Sequence, residues 1–433
     1  MLKLNLQKSV LPMIAFVLLA GCSGSGGKNE AEITKPAEVK KDPVTLKLFF
    51  HTGTVTDEEF QNIIAIPVKT KFPHITLEVV RSQTNQNIQD LITSGNTPDI
   101  IYSTNVGMID IVNVSIPADL TEQVKKNNID LARFDPRLID AIKAQASKGE
   151  LYALPFASNF SALFYNKDIF DRFGLPYPKE GMTWEEAIDL SKKIGREENG
   201  VMFKGLEPNL GDFISSQLSL PFYDPKTDKA AYNTEGWTRF FNLYKSIMDV
   251  APATTNIGIA RDNFLKTRNL AMLPDFGSVI GRVMETAELN WDVTSFPVFK
   301  ENPGVDMRVD CHVLMIYDKG KHVDESAQVI AHLLSDEVQT TLAKQGKMSS
   351  LNKQEIIDQF GADITKLKGK NIKAALKHKP APVHPRTTYS RIAQAQLIPA
   401  LKKVVEGTLD VNSALREADE LANKAIATEK AKN

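Results

Sequence analysis

Cysteine is scarce in this sequence: Cys22 and Cys311 are the only two in 433 residues, too few for a disulfide scaffold. Neither sign of charge is in excess. Lysine and arginine total 52 against 53 aspartates and glutamates, a formal net charge of -1, so nothing points to a nucleic-acid partner. The chain has no P-loop, no Gly-x-Gly-x-x-Gly, no His-Glu-x-x-His and no Gly-x-Ser-x-Gly. The motifs of nucleotide, zinc-hydrolase and serine-hydrolase chemistry are therefore missing, and neither a metal nor a cofactor is expected. No internal repeat is evident. What is present is ordinary globular material, 42% hydrophobic, in a chain long enough for two lobes with sizeable cores.

The N-terminal residues read as a targeting segment. Lys3 and Lys8 give a positive start, and Val10 to Leu19 is apolar but shorter than the roughly 20 residues that span a bilayer. The run Leu19-Ala20-Gly21-Cys22 resembles the bacterial lipobox. That resemblance implies a signal peptide over 1–21 and lipidation of Cys22; the alternative is a plain secretory signal with a chance cysteine. Residues 22–43, glycine- and serine-rich and then charged, read as a flexible tether. Cys311, left without a partner, reads as a small buried hydrophobe.

From Val44 the pattern is strand, helix, strand, helix, strand: Val44 to Phe50, a helix capped by Thr56 with Glu59 and kinked or ended by Pro67, Ile75 to Val80, Asn87 to Thr93, and Thr97 to Tyr102. That alternation predicts an α/β lobe built on a parallel sheet. Ligands of such sheets bind beyond the C-terminal strand ends. Those ends carry Thr52, Thr54, Asn85, Thr104 and Asn105, a set of uncharged amides and hydroxyls that suits a neutral, hydroxyl-rich ligand. Taken singly, each reads more readily as a solvated loop or cap residue.

Gly149 to Ile194 is the most informative stretch. Leu151 to Ala153 reads as a short strand ended by Pro155, and Ser161 to Tyr165 as a buried strand, with a helix opened by Asn166 and stopped at Gly174. Thr183 and Glu186 have capping-box spacing. Leu154 to Asn159 then looks like chain passing between lobes, with Ser158 and Asn159 at the passage. The run Gly-x-Leu-Tyr-Ala-Leu-Pro, then Tyr165-Asn-Lys-Asp-Ile-Phe170, then Thr183-Trp-Glu-Glu-Ala187 resembles the family 1 extracellular solute-binding proteins, the maltose-binding-protein-like receptors of ABC importers. The turn Ser94-Gly-Asn-Thr-Pro-Asp99, the strand Asn269-Leu-Ala-Met-Leu273, the loop Gly346-Lys-Met-Ser-Ser350 and the opening Gly407 to Leu415 are similar to that family in the same order.

The resemblance implies a two-lobed, type II periplasmic-binding-protein-like fold, each lobe a mainly parallel sheet flanked by helices. Its segments would be 44–155 and 311–350 in the first lobe and 156–310 and 351–433 in the second. It also implies a monomer on the outer face of the cell membrane, anchored through Cys22, that binds a small-molecule ligand, most simply a carbohydrate, and serves permease subunits. Where the family often has Gly-Pro-Trp, with a tryptophan that stacks on sugar, this chain has Pro274-Asp275-Phe276-Gly277. Asp275 could accept from ligand hydroxyls or be a helix N-cap; Phe276 could offer an apolar face. Asp310 falls where a hinge residue faces the cleft. His312 beside Cys311 invites a metal or thiol-protease reading, but adjacent strand residues point to opposite faces. The competing class is a secreted glycosidase, whose two carboxylates stand about 5 to 9.5 Å apart; Asp275 and Asp310 are the one pair to nominate. Trp184 and Trp237 read as core, Pro380 to Pro385 as a rigid linker, and Pro399 as a kink in the C-terminal helical stripe.

Overall fold

The computed structural model describes residues 41–53, 55–81, 88–146, 148–209, 211–250, 257–384 and 387–432. Val44–Phe50 pairs in parallel with Ile75–Arg81 on one side and Ile100–Thr104 on the other. Apolar residues are buried on both faces of Val44–Phe50 and Ile100–Thr104, as in sheets covered by helices on each side. Three strands extend this sheet in antiparallel fashion: Cys311–Ile316, then Leu154–Ser158, then the short edge Met348–Ser349. The second sheet has five strands in the order Trp291–Ser295, Ser161–Asn166, Leu270–Phe276, Val201–Leu206, Arg196–Glu198. In it, Leu270–Phe276 and Val201–Leu206 are the parallel neighbours. The arrangement is the expected two-lobed α/β one, but both sheets are mixed. The strand that brings the chain into each lobe, Cys311–Ile316 in the first and Ser161–Asn166 in the second, runs against both of its neighbours.

Each sheet has its own core. The first is built from residues between Leu46 and Ala157 and between Val309 and Ile356. The second gathers Leu163 to Met307 and the C-terminal helices as far as Ile426. A further cluster around Ala162, Phe164 and Leu273 covers the other face of the second sheet and takes in Leu367 and Ile372. Trp184 and Trp237 are fully buried in the second core.

Local signals explain several helix ends. Thr56 with Glu59 and Thr183 with Glu186 form complete capping boxes. Gly174 takes a positive φ of 63° and lets Leu175 N–H reach Phe170 O at 3.0 Å, closing a Schellman-type end.

Prolines depart from expectation. Pro155 does not end a strand at Ala153; it lies inside Leu154–Ser158, where the register against Cys311–Ile316 slips between His312 and Val313. At such an irregularity a missing N–H breaks no ladder bond. Pro67 does not end its helix. Phe60–Ala65 winds as a π-helix and hands over to the α-helix Ile66–Lys71, so Pro67 falls in a first turn, where its N–H is not needed. Pro380 sits in a strand, Lys379–Ala381, paired in parallel with Val305–Arg308, rather than in a linker. The C-terminal stripe breaks after Gln394, and Pro399 occupies the first turn of the next helix, Leu397–Val405.

Candidate functional site

Two chain crossings between the sheets are tied to each other. Ser158 to Ser161 leads from the first sheet to the second, and Arg308 to Cys311 leads back. Asn159 joins them twice: its N–H donates to Asp310 O at 2.9 Å and its side-chain amide to Asp310 Oδ2 at 2.9 Å. Asn105 clamps the return crossing. Its side-chain amide donates to Val309 O at 3.2 Å, and its side-chain carbonyl accepts from Cys311 N–H at 3.1 Å.

Against these crossings lies a cavity of about 560 Å3 bounded by residues of both sheets. Gly53, Glu59, Thr104, His312 and Lys347 form the first-lobe wall; Phe160, Arg261, Phe276, Ser278 and Arg282 form the second. Lys347 Nζ stands 2.9 Å from Glu59 Oε1. Arg261 is held in a fork by Asp275, with Nε 2.6 Å from Oδ2 and Nη2 2.7 Å from Oδ1. That hydrogen-bonded contact raises the guanidinium pKa further.

The expected site residues divide accordingly. Thr104, Ser158, Asn159, Phe276 and Asp310 line the cavity together. Phe276 is backed by Phe213, ring centroids 4.8 Å apart. Thr52 stands behind the wall, its hydroxyl hydrogen-bonded to Ser103 Oγ at 2.8 Å and Thr104 Oγ1 at 3.1 Å. Asn105 is 3% exposed and serves the crossing; it borders a separate space of about 50 Å3. Asp275 is 0% exposed. Its oxygens are occupied by Arg261 and by the N–H of Phe276 at 2.7 Å, so it presents Arg261 to the cavity instead of meeting a ligand itself. It is not a helix N-cap either, since it lies within the strand Leu270–Phe276. Thr54, Asn85 and Cys22 lie outside the described residues.

Sequence reasoning missed Arg261, Glu59 as a wall residue, and Lys347. A signal for Arg261 did exist. An aspartate in a strand as apolar as Leu270 to Leu273 needs a cation, and Arg261 precedes it on a short helical segment. The expectation of an uncharged lining fails for the same residues: the wall carries charges, several of them already paired within the protein.

His312 and Cys311 do point to opposite sides. His312 reaches the cavity, while Cys311 is fully buried in the first core, where burial drives its thiol pKa up. Among the described residues, no group of three or more His, Cys, Asp or Glu side chains could hold a metal ion, and no helix is long and apolar enough to cross a membrane.

Comparison with known proteins gives the context. A lactose-binding protein of Rhizobium radiobacter is 26% identical over 151 residues, 33% of this chain and 34% of its own length. A putative binding protein of Brucella abortus is 23% identical over 285 residues, 62% of this chain and 66% of its own. The chain thus spans about a third to two thirds of these relatives. Solved structures align over far more. An ABC substrate-binding protein from Listeria monocytogenes in complex with cycloalternan superposes with a TM-score of 0.73 at 17% identity, covering 89% of this chain and 100% of that one. The cyclic alpha-maltosyl-1,6-maltose binding protein of Arthrobacter globiformis gives 0.71 at 15%, covering 89% and 99%. Residues 56–340 match the profile of the bacterial extracellular solute-binding proteins, and the chain belongs to that family.

Proposed function

We propose that this chain is the substrate-binding lipoprotein of an ABC importer. It captures a carbohydrate, an oligosaccharide or glycoside, by closing its two lobes and delivers it to permease subunits. The observation that carries the reading is the cavity of about 560 Å3, walled by both sheets and abutting two mutually bonded crossings. Rotation about the crossings changes the distance between the walls without disturbing either core, which is the hinge motion of two-lobed binders. A ligand drives closure only by binding the closed state better. The lactose-, cycloalternan- and maltosyl-maltose-binding relatives support the choice of a saccharide. The protein acts as a monomer, performs no covalent chemistry, and is held on the outer face of the cell membrane through Cys22.

A thermal-shift screen tests this with maltose, maltotriose, lactose and raffinose, and with sn-glycerol 3-phosphate and glucuronate as charged comparators. A ligand that binds only the folded state raises the midpoint by mass action. A shift with a saccharide is expected; a shift with none of them, but with a peptide or metal, overturns the assignment. The glycosidase alternative loses its nominated pair, because Asp275 is committed to Arg261. Labelled oligosaccharides are expected to remain intact on prolonged incubation. Asp275→Asn is expected to weaken saccharide binding about tenfold by loosening Arg261, with no turnover to lose; turnover by the wild type that disappears in Asp275→Asn would establish an enzyme.

A further inference from the structure

We infer that His312 is a specificity-determining residue of the cavity, accepting or donating one hydrogen bond to a neutral ligand hydroxyl through Nε2 and disfavouring charged substituents at that point. The inference rests on the carbohydrate reading above and names how the first-lobe wall would select within it.

His312 stands on an inner strand of the first sheet, opposite Thr104 on one neighbour and Ala157 on the other, and all three border the cavity. Its ring packs against that of Tyr102, centroids 5.2 Å apart. Nδ1 of His312 and the hydroxyl of Tyr102 are both buried, and among the described residues neither has a hydrogen-bond partner. With Nδ1 turned into the protein, Nε2 is the nitrogen left for a ligand.

Gly53 lies beside the Nε2 edge and puts no side chain against it. A Cβ at residue 53 would lie 3.1 Å from His312 Cδ2 and 3.2 Å from Nε2, and the backbone there has a φ of +89° that favours glycine. Any side chain at residue 53 would crowd that edge of the imidazole.

The charged and titratable groups that act on the ring are Asp310, Lys347 and Glu59, with Tyr102 beside it. Glu59 and Lys347 are engaged with each other at 2.9 Å, and Asp310 accepts from Asn159. Burial pushes the imidazole pKa down to about 4, so the ring is neutral at ordinary pH. A neutral imidazole has one donor and one acceptor nitrogen. A hydroxyl can meet either tautomer, because it also does both. A carboxylate or phosphate at that point would face Asp310 with no compensating charge from the ring.

The test is calorimetric binding of whichever of maltose, maltotriose, lactose and raffinose gives the largest thermal shift. It compares wild type, His312→Phe and His312→Gln. Phenylalanine keeps the ring against Tyr102 and removes both nitrogens; glutamine carries an amide to the reach of Nε2. His312→Phe is expected to bind about tenfold to a hundredfold more weakly, and His312→Gln to stay within about threefold of wild type. Equal affinity for wild type and His312→Phe overturns the assignment while leaving the carbohydrate reading intact. Binding of none of the four saccharides overturns the carbohydrate reading itself, and this inference with it. Nitrogen-15 spectra of the histidine rings in the wild type give a readout that needs no variant. Saccharide addition is expected to move the His312 Nε2 resonance, and an unmoved resonance overturns the contact. Affinity should be level between about pH 8 and about pH 6; a change there that is absent in His312→Gln would mean a titrating ring and overturn the neutral-hydroxyl reading.

Discussion

Among single residues, the least expected is Asp306. Its carboxylate is 4% exposed and accepts from the N–H of Met307 at 2.8 Å and of Ser161 at 3.3 Å, so it ties the start of one second-sheet strand to the segment leading into the return crossing. Burial raises its pKa to about 7, against roughly 3.9 for an unfolded aspartate. Between those values the folded state binds more protons than the unfolded one, so this residue's contribution to stability falls as pH rises from about 4 to about 7. Asp306→Asn cannot titrate. The variant's unfolding midpoint should therefore rise relative to wild type as pH is taken from about 4.5 to about 7.5. Parallel midpoint-versus-pH curves for the two proteins would show that the aspartate is not protonated in the fold. Nothing in the sequence marked Asp306. Its hydrogen-bond partner Ser161 is remote in the chain, and local reading does not reach across that gap. Asp275 was noticed but misassigned for a related reason: its apolar strand was legible, while the approach of Arg261 from a preceding helix was not.

At the scale of elements, what was legible is what the chain decides within a few residues. The capping boxes at Thr56 and Thr183 and the glycine stop at Gly174 depend on neighbours three or four positions away, and they form as expected. Pro155 and Pro380 were misread because a proline in a strand is tolerated or not according to a remote partner, and the helix runs on past Pro67 through a local change of register. Close packing between elements is likewise set at a distance, and two glycines test it. A Cβ on Gly205 would lie 2.3 Å from the Cα of Ser191, where the strand Val201–Leu206 meets the helix Trp184–Lys192. Backbone cannot yield there, so Gly205→Ala should cost about 1–3 kcal/mol by overpacking, seen as a lower denaturant midpoint with saccharide affinity unchanged. A Cβ on Gly277 would lie 2.3 Å from Phe160 Cε1, and Phe160 lines the cavity. Gly277→Ala should therefore lower affinity as well as stability. Identical behaviour of the two variants in binding would contradict the cavity as the ligand site.

For the whole molecule, the separation of two cores by crossings means that capture and attachment can be changed independently. The family's order of motifs made the two-lobed plan readable, while the mixed sheets and the charged wall needed residues far apart in sequence to be brought together. The lipid attachment proposed above involves a different part of the chain. The buried cores begin at Leu46, and Cys22 precedes them by a segment rich in glycine, serine, lysine and glutamate, a composition that does not itself build a core. A single acyl chain anchors a protein only marginally, whereas two give stable attachment, and a diacylglyceryl cysteine supplies two. Cys22→Ser should accordingly leave the unfolding midpoint and the saccharide affinity of the purified protein at wild-type values. In cells it should move the protein to the soluble fraction or leave an uncleaved precursor at the membrane, as read by fractionation and by the mass of the N-terminal peptide. Wild-type protein recovered as a mature, soluble chain with an unmodified Cys22 would refute the lipid anchor. It would leave solute binding untouched, because among the described residues the cavity wall begins at Gly53.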